Sequence, residues 1–173
     1  FVLAAEAPAV AGQVIAARYL ATGRRARAAR VFRRLLKVTL GVGVATAAGL
    51  CAAAGPASRA FFPADPAAAA ATTRLFAWAA LSVPLVWPNA LCEAVLLGAG
   101  RYTYLAGLTL LNALVVCRAT VGAVSSRPAV SSAWACLFGF FVLRIVVSSI
   151  GVTRELFPAP RKRGLRFASR GAP

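Results

Sequence analysis

Four side chains in this sequence combine types and spacings that suit ion binding. Glu6 and Gln13 are seven residues apart, and Asn89 and Glu93 are four apart, so each pair shares one face of a helix. Both pairs lie within long apolar stretches, where a carboxylate resists ionisation and can exchange a proton near neutral pH or hold a dehydrated cation. We therefore predict that these four residues line a coupling-ion or substrate cavity.

The cost of burying these acids argues for a function. A charged side chain at the centre of a bilayer costs at least ~2.5–3.5 kcal/mol, so an acid within a membrane span is a functional candidate. Prolines accompany both pairs: Pro8 follows Glu6, and Pro84 and Pro88 precede Glu93. Because proline lacks an N–H donor, we expect the helix that carries Glu93 to be kinked or loosened.

Simpler roles for the same residues stay open. Glu6 could lie near the membrane interface and pair with an arginine, and Glu93 could extend toward Arg101, eight residues further on. Arg144 is expected to contact neighbouring structure or lipid headgroups, with an ion pair to a buried acid as the alternative. Three further polar residues are predicted to join helices by hydrogen bonds: Asn112, Ser148 and Ser149.

The composition does not support enzymatic chemistry or metal binding. The sequence contains no His, and its four cysteines form no CxxC pair: Cys51, Cys92, Cys117 and Cys136. Without His, a nucleophile lacks its most common base and a zinc site lacks a common ligand. We predict a protein that is not an enzyme, with no catalytic residue, no metal and no cofactor other than a coupling proton or sodium ion.

Membrane-spanning helices must position these residues. The hydrophobic fraction is 60% and the mean hydropathy is +0.75, whereas ordinary soluble domains are roughly 45–50% apolar. A helix of about 20 apolar residues crosses the ~30 Å hydrocarbon layer. The predicted fold is an all-α membrane protein with a helical bundle over residues 1–156. Five stretches qualify as spans: residues 1–21, 35–55, 75–99, 102–124 and 130–152.

Small residues recur at every fourth position of the second span: Gly41, Ala45, Gly49 and Ala53. Such a stripe allows two helix backbones to approach closely. We predict that this face of the span packs on a neighbouring helix.

The net charge of +16 is explained better by membrane topology than by nucleic-acid binding, because the cations lie between apolar segments. Five crossings place the first loop, the third loop and the C-terminus on one side. Of the 20 Lys and Arg residues, three lie on the opposite side (Arg59, Arg74, Arg127) and three lie within spans or near their ends (Arg18, Arg118, Arg144), which leaves 14. The split of 14 to 3 predicts a cytoplasmic or stromal C-terminus.

Residues 157–173 form a basic tail that contains an RKR cluster and little apolar content. We predict that this tail is disordered on the cytoplasmic or stromal side. The sequence has no Met and opens with Phe1 inside an apolar stretch, so we expect it to belong to a longer protein.

One stretch of the sequence resembles a known transporter family. Residues 5–44 are AEAPAVAGQVIAARYLATGRRARAARVFRRLLKVTLGVGV, with an acid at Glu6, the segment AVAGQ ending at Gln13, and a basic loop over residues 24–37. This order resembles the second helix, basic loop and third helix of one lobe of a multidrug and toxic compound extrusion (MATE) transporter. The similarity is greatest to the DNA-damage-inducible branch of bacteria and plant plastids.

Later segments resemble the same family in the same order. FFPADP at residues 61–66 is similar to a Phe-Thr-x-Asp-Pro loop, and CEAVLLGAGRYTYLA at 92–106 is similar to an acid-Gly-x-x-x-Gly segment that ends near a Tyr. FFVLRIVVSSIGVTREL at 140–156 resembles the last helix. The usual Asp is Glu at both acid positions, and Ala94 stands where the family has Gly.

The resemblance implies a twelve-helix, two-lobe antiporter, of which this chain would supply helices eight to twelve. Such proteins export organic or xenobiotic compounds while protons or sodium ions move inward, and acids within the lobes bind the coupling ion. The implied partners are the lipid bilayer, a small organic substrate and the rest of the same transporter chain, with no nucleic acid. The implied location is a plastid envelope, or otherwise the plasma or vacuolar membrane.

A different class of function is also compatible with the sequence. In a non-transporting helical bundle, such as an assembly or scaffold protein, Glu6 and Glu93 would only join helices. A preceding lobe with the same six-helix pattern, in coding sequence upstream of these residues, would distinguish the transporter from the scaffold.

Overall fold

A computed structural model describes residues 2–126 and 130–157 of the chain. This part is built entirely of α-helices and contains no strand. The five helices are α1 (Val2–Ala21), α2 (Arg25–Phe61), α3 (Pro66–Gly98), α4 (Tyr102–Ser126) and α5 (Val130–Leu156). Of the predicted tail, 157–173, only Phe157 belongs to the described residues.

Four of the described helices are long and apolar enough to cross a bilayer, which is compatible with an all-α membrane protein. They are Arg25–Phe61, Pro66–Gly98, Tyr102–Gly122 and Ser132–Leu156. The first predicted span, residues 1–21, forms α1, which is not among these four.

The second and third helices are longer than the apolar stretches that predicted them. α2 contains 37 residues and is therefore about 55 Å long, well beyond the ~30 Å hydrocarbon layer. Its first dozen residues belong to the predicted basic loop, residues 24–37, so this segment and the second span form one continuous helix. α3 begins at Pro66 because the Asp65 side chain caps it, accepting hydrogen bonds of 2.9 Å from the N–H groups of Ala67 and Ala68.

The turns after α1 and α3 lie at the same end of the bundle and have the same backbone geometry. Gly23 and Gly100 follow α1 and α3 with φ angles of +70° and +73°, a left-handed conformation that favours glycine. After each glycine, the next N–H donates back across the helix end, from Arg24 to the Tyr19 carbonyl and from Arg101 to the Leu96 carbonyl. Each of these two hydrogen bonds satisfies a carbonyl in the last turn of its helix, and the chain reverses direction within a few residues.

α3 is the central helix of the described bundle. In an 18-residue apolar stretch of α3, 56% of the residues are buried, whereas the corresponding fractions are 11% in α2 and α4 and 17% in α5. Burial is greatest near its C-terminal end, where Val95 and Leu96 pack with Val152 and Leu156 of α5. The same cluster includes Ala16 of α1 and Ala28 and Ala29 of α2. The residues of α3 between Trp87 and Leu96 are therefore surrounded by other helices.

Close approach between helices occurs at glycines other than those of the predicted stripe. A Cβ placed at Gly43 would lie 3.1 Å from the Pro84 Cα atom, and one at Gly98 would lie 3.1 Å from the Ala17 nitrogen. Gly41 and Gly49, by contrast, have nothing within 4 Å. All four residues of the predicted stripe are exposed in this bundle. The prediction that the stripe packs on a neighbouring helix is therefore wrong for the described helices, because α2 turns the Thr39, Gly43 and Ala54 side to α3.

The turn positions allow the predicted topology to be tested. In a variant without the four native cysteines, single cysteines replace Thr22, between α1 and α2, or Ala64, between α2 and α3, both of which are exposed. The charge split predicts that an impermeant maleimide labels Ala64→Cys in intact cells and labels Thr22→Cys only after permeabilisation. Equal labelling of both positions from one side would contradict the alternation of the loops. The cysteine-free protein supplies the background.

Candidate ion-binding site

The carboxylate of Glu93 is held by two partners on two helices. Arg144 of α5 donates from Nε to Oε1 and from Nη2 to Oε2, the latter over 2.9 Å. Asn89, one turn earlier on α3, donates from Nδ2 to Oε1 over 2.9 Å. The two-point pairing fixes the guanidinium in the plane of the carboxylate. Glu93 therefore connects α3 to α5 through charge as well as through packing.

The Glu93–Arg144 pair lies among apolar side chains but is partly exposed. The side chains of Arg144 and Glu93 are 23% and 19% exposed, whereas Asn89 is 6% exposed. The guanidinium carbon of Arg144 also lies 5.4 Å from the centre of the Phe140 ring, one turn earlier on α5. The charges therefore compensate each other where water is scarce, and the aromatic face adds to the stabilisation of the arginine.

α3 supplies this geometry through a continuous helix that runs past two prolines. Neither Pro84 nor Pro88 interrupts it. Each proline removes one N–H donor, so the carbonyls of Ala80 and Pro84 lose their usual intrahelical partners. Because Asn89 follows Pro88 directly, the polar residues begin where the backbone hydrogen bonding is weakest. The expected kink of this helix stays a prediction.

The simpler alternative for Glu93 is wrong. Glu93 does not extend toward Arg101, because Arg101 pairs with Glu155 at 2.6 Å. For Arg144, the geometry selects the alternative of an ion pair with a buried acid over a lipid or purely structural contact. Sequence reasoning missed Glu155 as the partner of Arg101, although the third loop, which contains Arg101, and the C-terminus were predicted on the same side of the membrane.

The structure does not join Gln13 to Asn89 and Glu93. Gln13 is half-buried on α1, where its backbone carbonyl faces Gly98. Gly98 is five residues beyond Glu93, about 7.5 Å along the axis. Within the described residues, no hydrogen bond connects the Gln13 side chain to either α3 residue.

Glu6 lies on α1, seven residues before Gln13. The α1 residue that lies against Leu91 of α3, between Asn89 and Glu93, is Gly12, where a Cβ would lie 2.5 Å from the Leu91 Cδ1 atom, and Glu6 is six residues before it. The side chain of Glu6 lies outside the described residues. Its participation in the site stays a prediction.

Several buried polar groups near the pair have no hydrogen-bond partner in the described part of the chain. They are Asn89 Oδ1, both polar atoms of the Asn112 side chain, and Ser148 Oγ. Asn112 and Ser148 are completely buried. Their predicted role as helix-to-helix hydrogen-bonding residues is therefore not observed, and that of Ser149 stays a prediction.

The arrangement holds one ion pair between two helices, and its described residues offer no group of metal ligands. Among the described residues, no cluster of three or more His, Cys, Asp or Glu side chains could bind a metal ion. Protonation of Glu93, or a cation at its oxygens, would compete with the Arg144 guanidinium for the same carboxylate. The chemistry available is thus the making and breaking of one interhelical ion pair.

Comparisons with known proteins add no identification. No protein-family model, no curated protein and no solved structure matches this chain.

The ion pair predicts a specific pattern of stability. Glu93→Gln leaves the Arg144 charge uncompensated, so we expect a loss of about 3 kcal/mol in the free energy of unfolding. Glu93→Gln combined with Arg144→Met removes both charges and should recover most of that loss, because neutral replacement of a buried pair is often tolerated. Reversible unfolding by SDS titration in mixed micelles measures both changes.

A matched control is available in the second ion pair. Arg101 is 58% exposed, so Glu155→Gln should change the unfolding free energy by less than about 1 kcal/mol. Equal losses for Glu93→Gln and Glu155→Gln would show that the Glu93 pair is as well solvated as a surface pair.

Proposed function

We propose that this chain is part of a secondary active antiporter that exports organic compounds in exchange for protons or sodium ions, with Glu93 as the coupling residue. In this proposal the chain forms most of the C-terminal lobe of a two-lobe transporter. Its C-terminus lies on the cytoplasmic or stromal side. The lipid bilayer, a small organic substrate and the rest of the transporter are its partners.

The observation that carries the proposal is the position of Glu93 between α3 and α5. An acid among apolar helices is costly and is a functional candidate by default. Its two oxygens are shared between Arg144 on another helix and Asn89 on its own helix. Any cation that binds the carboxylate must weaken the contact with Arg144. Ion binding would thereby be converted into a change in the packing of two helices.

The backbone of α3 supports this conversion. Two carbonyls lack intrahelical donors just before the site, because Pro84 and Pro88 cannot donate. A helix with missing hydrogen bonds bends at lower cost than an uninterrupted one. Helix distortion near a central ion site is the means by which many secondary transporters couple ion binding to alternating access. The likeness of residues 5–44, 61–66, 92–106 and 140–156 to the MATE family favours the same conclusion.

The two-point ion pair also favours a second candidate function. A carboxylate already held by a guanidinium and an amide could serve as a fixed link between helices, as in a non-transporting membrane scaffold. The two functions differ in whether Glu93 must release Arg144 during the working cycle. Export driven by an ion gradient distinguishes them.

The transport test uses the full-length protein reconstituted in vesicles, with a fluorescent organic cation and an imposed proton or sodium gradient. We expect the wild type to export under at least one gradient. The Glu93→Gln, Arg144→Met double variant should lose gradient-driven export while retaining insertion and stability, because it lacks a titratable group without carrying an unpaired charge.

Two controls sharpen the test. Glu155→Gln removes a carboxylate from a solvated pair and should retain export at near the wild-type rate. Glu6→Gln should impair export less than the double variant if Glu6 is only a structural partner. Wild-type export by the double variant would show that coupling lies elsewhere, and a wild type that exports under neither gradient would favour the scaffold function.

A further inference from the structure

Two contacts fix how α4 is aligned with α5. Arg101, at the start of α4, pairs with Glu155, and Tyr104 lies against Gly151 with its hydroxyl donating 2.6 Å to the Val147 carbonyl. The two helices are therefore antiparallel. Asn112 is eleven residues after Arg101, and Arg144 is eleven residues before Glu155. Equal rise along both helices puts Asn112 level with Arg144.

A third contact aligns α3 with α5. The Leu96 side chain lies 3.2 Å from the position of a Cβ at Gly151, and the rings of Trp78 and Phe138 lie 6.4 Å apart further along. These contacts show that α3 and α5 run in the same direction. Asn89 is seven residues before Leu96, and Arg144 is seven residues before Gly151. Asn89 also lies beside Arg144, since both side chains donate to Oε1 of Glu93.

Three helices thus bring buried polar groups to one level of the bundle. Asn112 comes from α4, Asn89 from α3 and Arg144 from α5, and Ser148 lies one turn from Arg144 on the same face of α5. Asn89 Oδ1, Asn112 Oδ1 and Nδ2, and Ser148 Oγ have no partner among the described residues. Buried polar groups in native proteins are almost always hydrogen-bonded, to protein or to ordered water.

We infer that Asn112, Ser148 and the free oxygen of Asn89 form, beside the Glu93–Arg144 pair, a buried site that binds water. The inference holds for either proposed function, since it concerns hydration and not transport.

The mixture of groups selects water over an ion. Asn112 presents both a donor and an acceptor, and a serine hydroxyl can act as either, which matches a water molecule. A cation would leave the Asn112 N–H groups unsatisfied and would be repelled by Arg144. An anion would be repelled by Glu93 and by the oxygen of Asn89.

Hydration would have a physical consequence for the ion pair. The carboxylate occupies two of the five N–H donors of the guanidinium, so further donors are available to water. Water beside the pair lowers the cost of separating the two charges, because each can exchange its partner for a solvent hydrogen bond.

The sequence makes the site accessible to a selective measurement, because it contains only two asparagines, Asn89 and Asn112. In bilayer samples of this 173-residue chain labelled with ¹³C,¹⁵N-asparagine, only two side-chain amide signals arise from this residue type. Adding ¹³C-carbonyl leucine assigns the Asn112 backbone amide without any substitution, since Leu111 precedes Asn112 and Pro88 precedes Asn89. The labelled carbons of Asn112 then link its backbone amide to its side-chain amide. Water-edited solid-state NMR then measures how fast magnetisation from water reaches each amide.

We expect the Asn112 side-chain amide to receive water magnetisation several-fold faster than the Asn112 backbone amide, which lies in the same helix. Ser148→Ala should slow this transfer. Ser82→Ala is the matched control, because Ser82 is also buried but already donates to the Trp78 carbonyl, and it should leave the transfer unchanged. Equal build-up for the two Asn112 amides in the wild type would overturn the inference and indicate a dry site in which protein groups satisfy Asn112.

Discussion

A charge inside a bundle of apolar helices needs an opposite charge within reach, and this constraint governs the centre of the structure. Glu93 and Arg144 are 51 residues apart in sequence and meet because α3 and α5 lie side by side. Neither could stay ionised alone at this depth without a cost of several kcal/mol. Their pairing therefore fixes which faces of the two helices meet, and the small and aliphatic residues on either side follow that alignment.

The two ion pairs in the described part of the chain differ in how much they contribute to stability, because one lies near the end of the bundle and the other lies among apolar side chains. Arg101 and Glu155 meet near the end of the bundle, where water shares the charge and the pair contributes little. Glu93 and Arg144 meet among apolar side chains, where removal of one partner leaves the charge of the other uncompensated. A substitution of glutamate by glutamine is thus nearly silent at one position and disruptive at the other, although both change one carboxylate into one amide.

Hydropathy and helical spacing predicted the helical fold, four of the apolar helices, and the placement of Asn89 and Glu93 on one face of a helix, where the structure shows them hydrogen-bonded. The partner of Glu93 could not be chosen in this way, because Arg18, Arg118 and Arg144 all lay within predicted spans or near their ends. The side of α2 that packs on its neighbour was also predicted wrongly. In a membrane, residues that contact lipid and residues that contact helices are both apolar, so the pattern Gly41-Ala45-Gly49-Ala53 did not reveal that Gly43 faces α3.

The packing between α3 and α5 differs on the two sides of the Glu93–Arg144 pair. Toward the end formed by Gly98 and Leu156, the apolar cluster of Val95, Leu96 and Val152 separates Glu93 from the surface. In the opposite direction, the nearest aromatic contact between α3 and α5 is the Trp78–Phe138 pair, about three turns beyond Asn89. The cluster is the tighter barrier, since its members are almost fully buried whereas Trp78 and Phe138 are only partly so. The contact between α3 and α5 is therefore packed more tightly on the Val95 side of Glu93 than on the Trp78 side, so the end of α3 is held against α5 by apolar packing as well as by the Glu93–Arg144 pair.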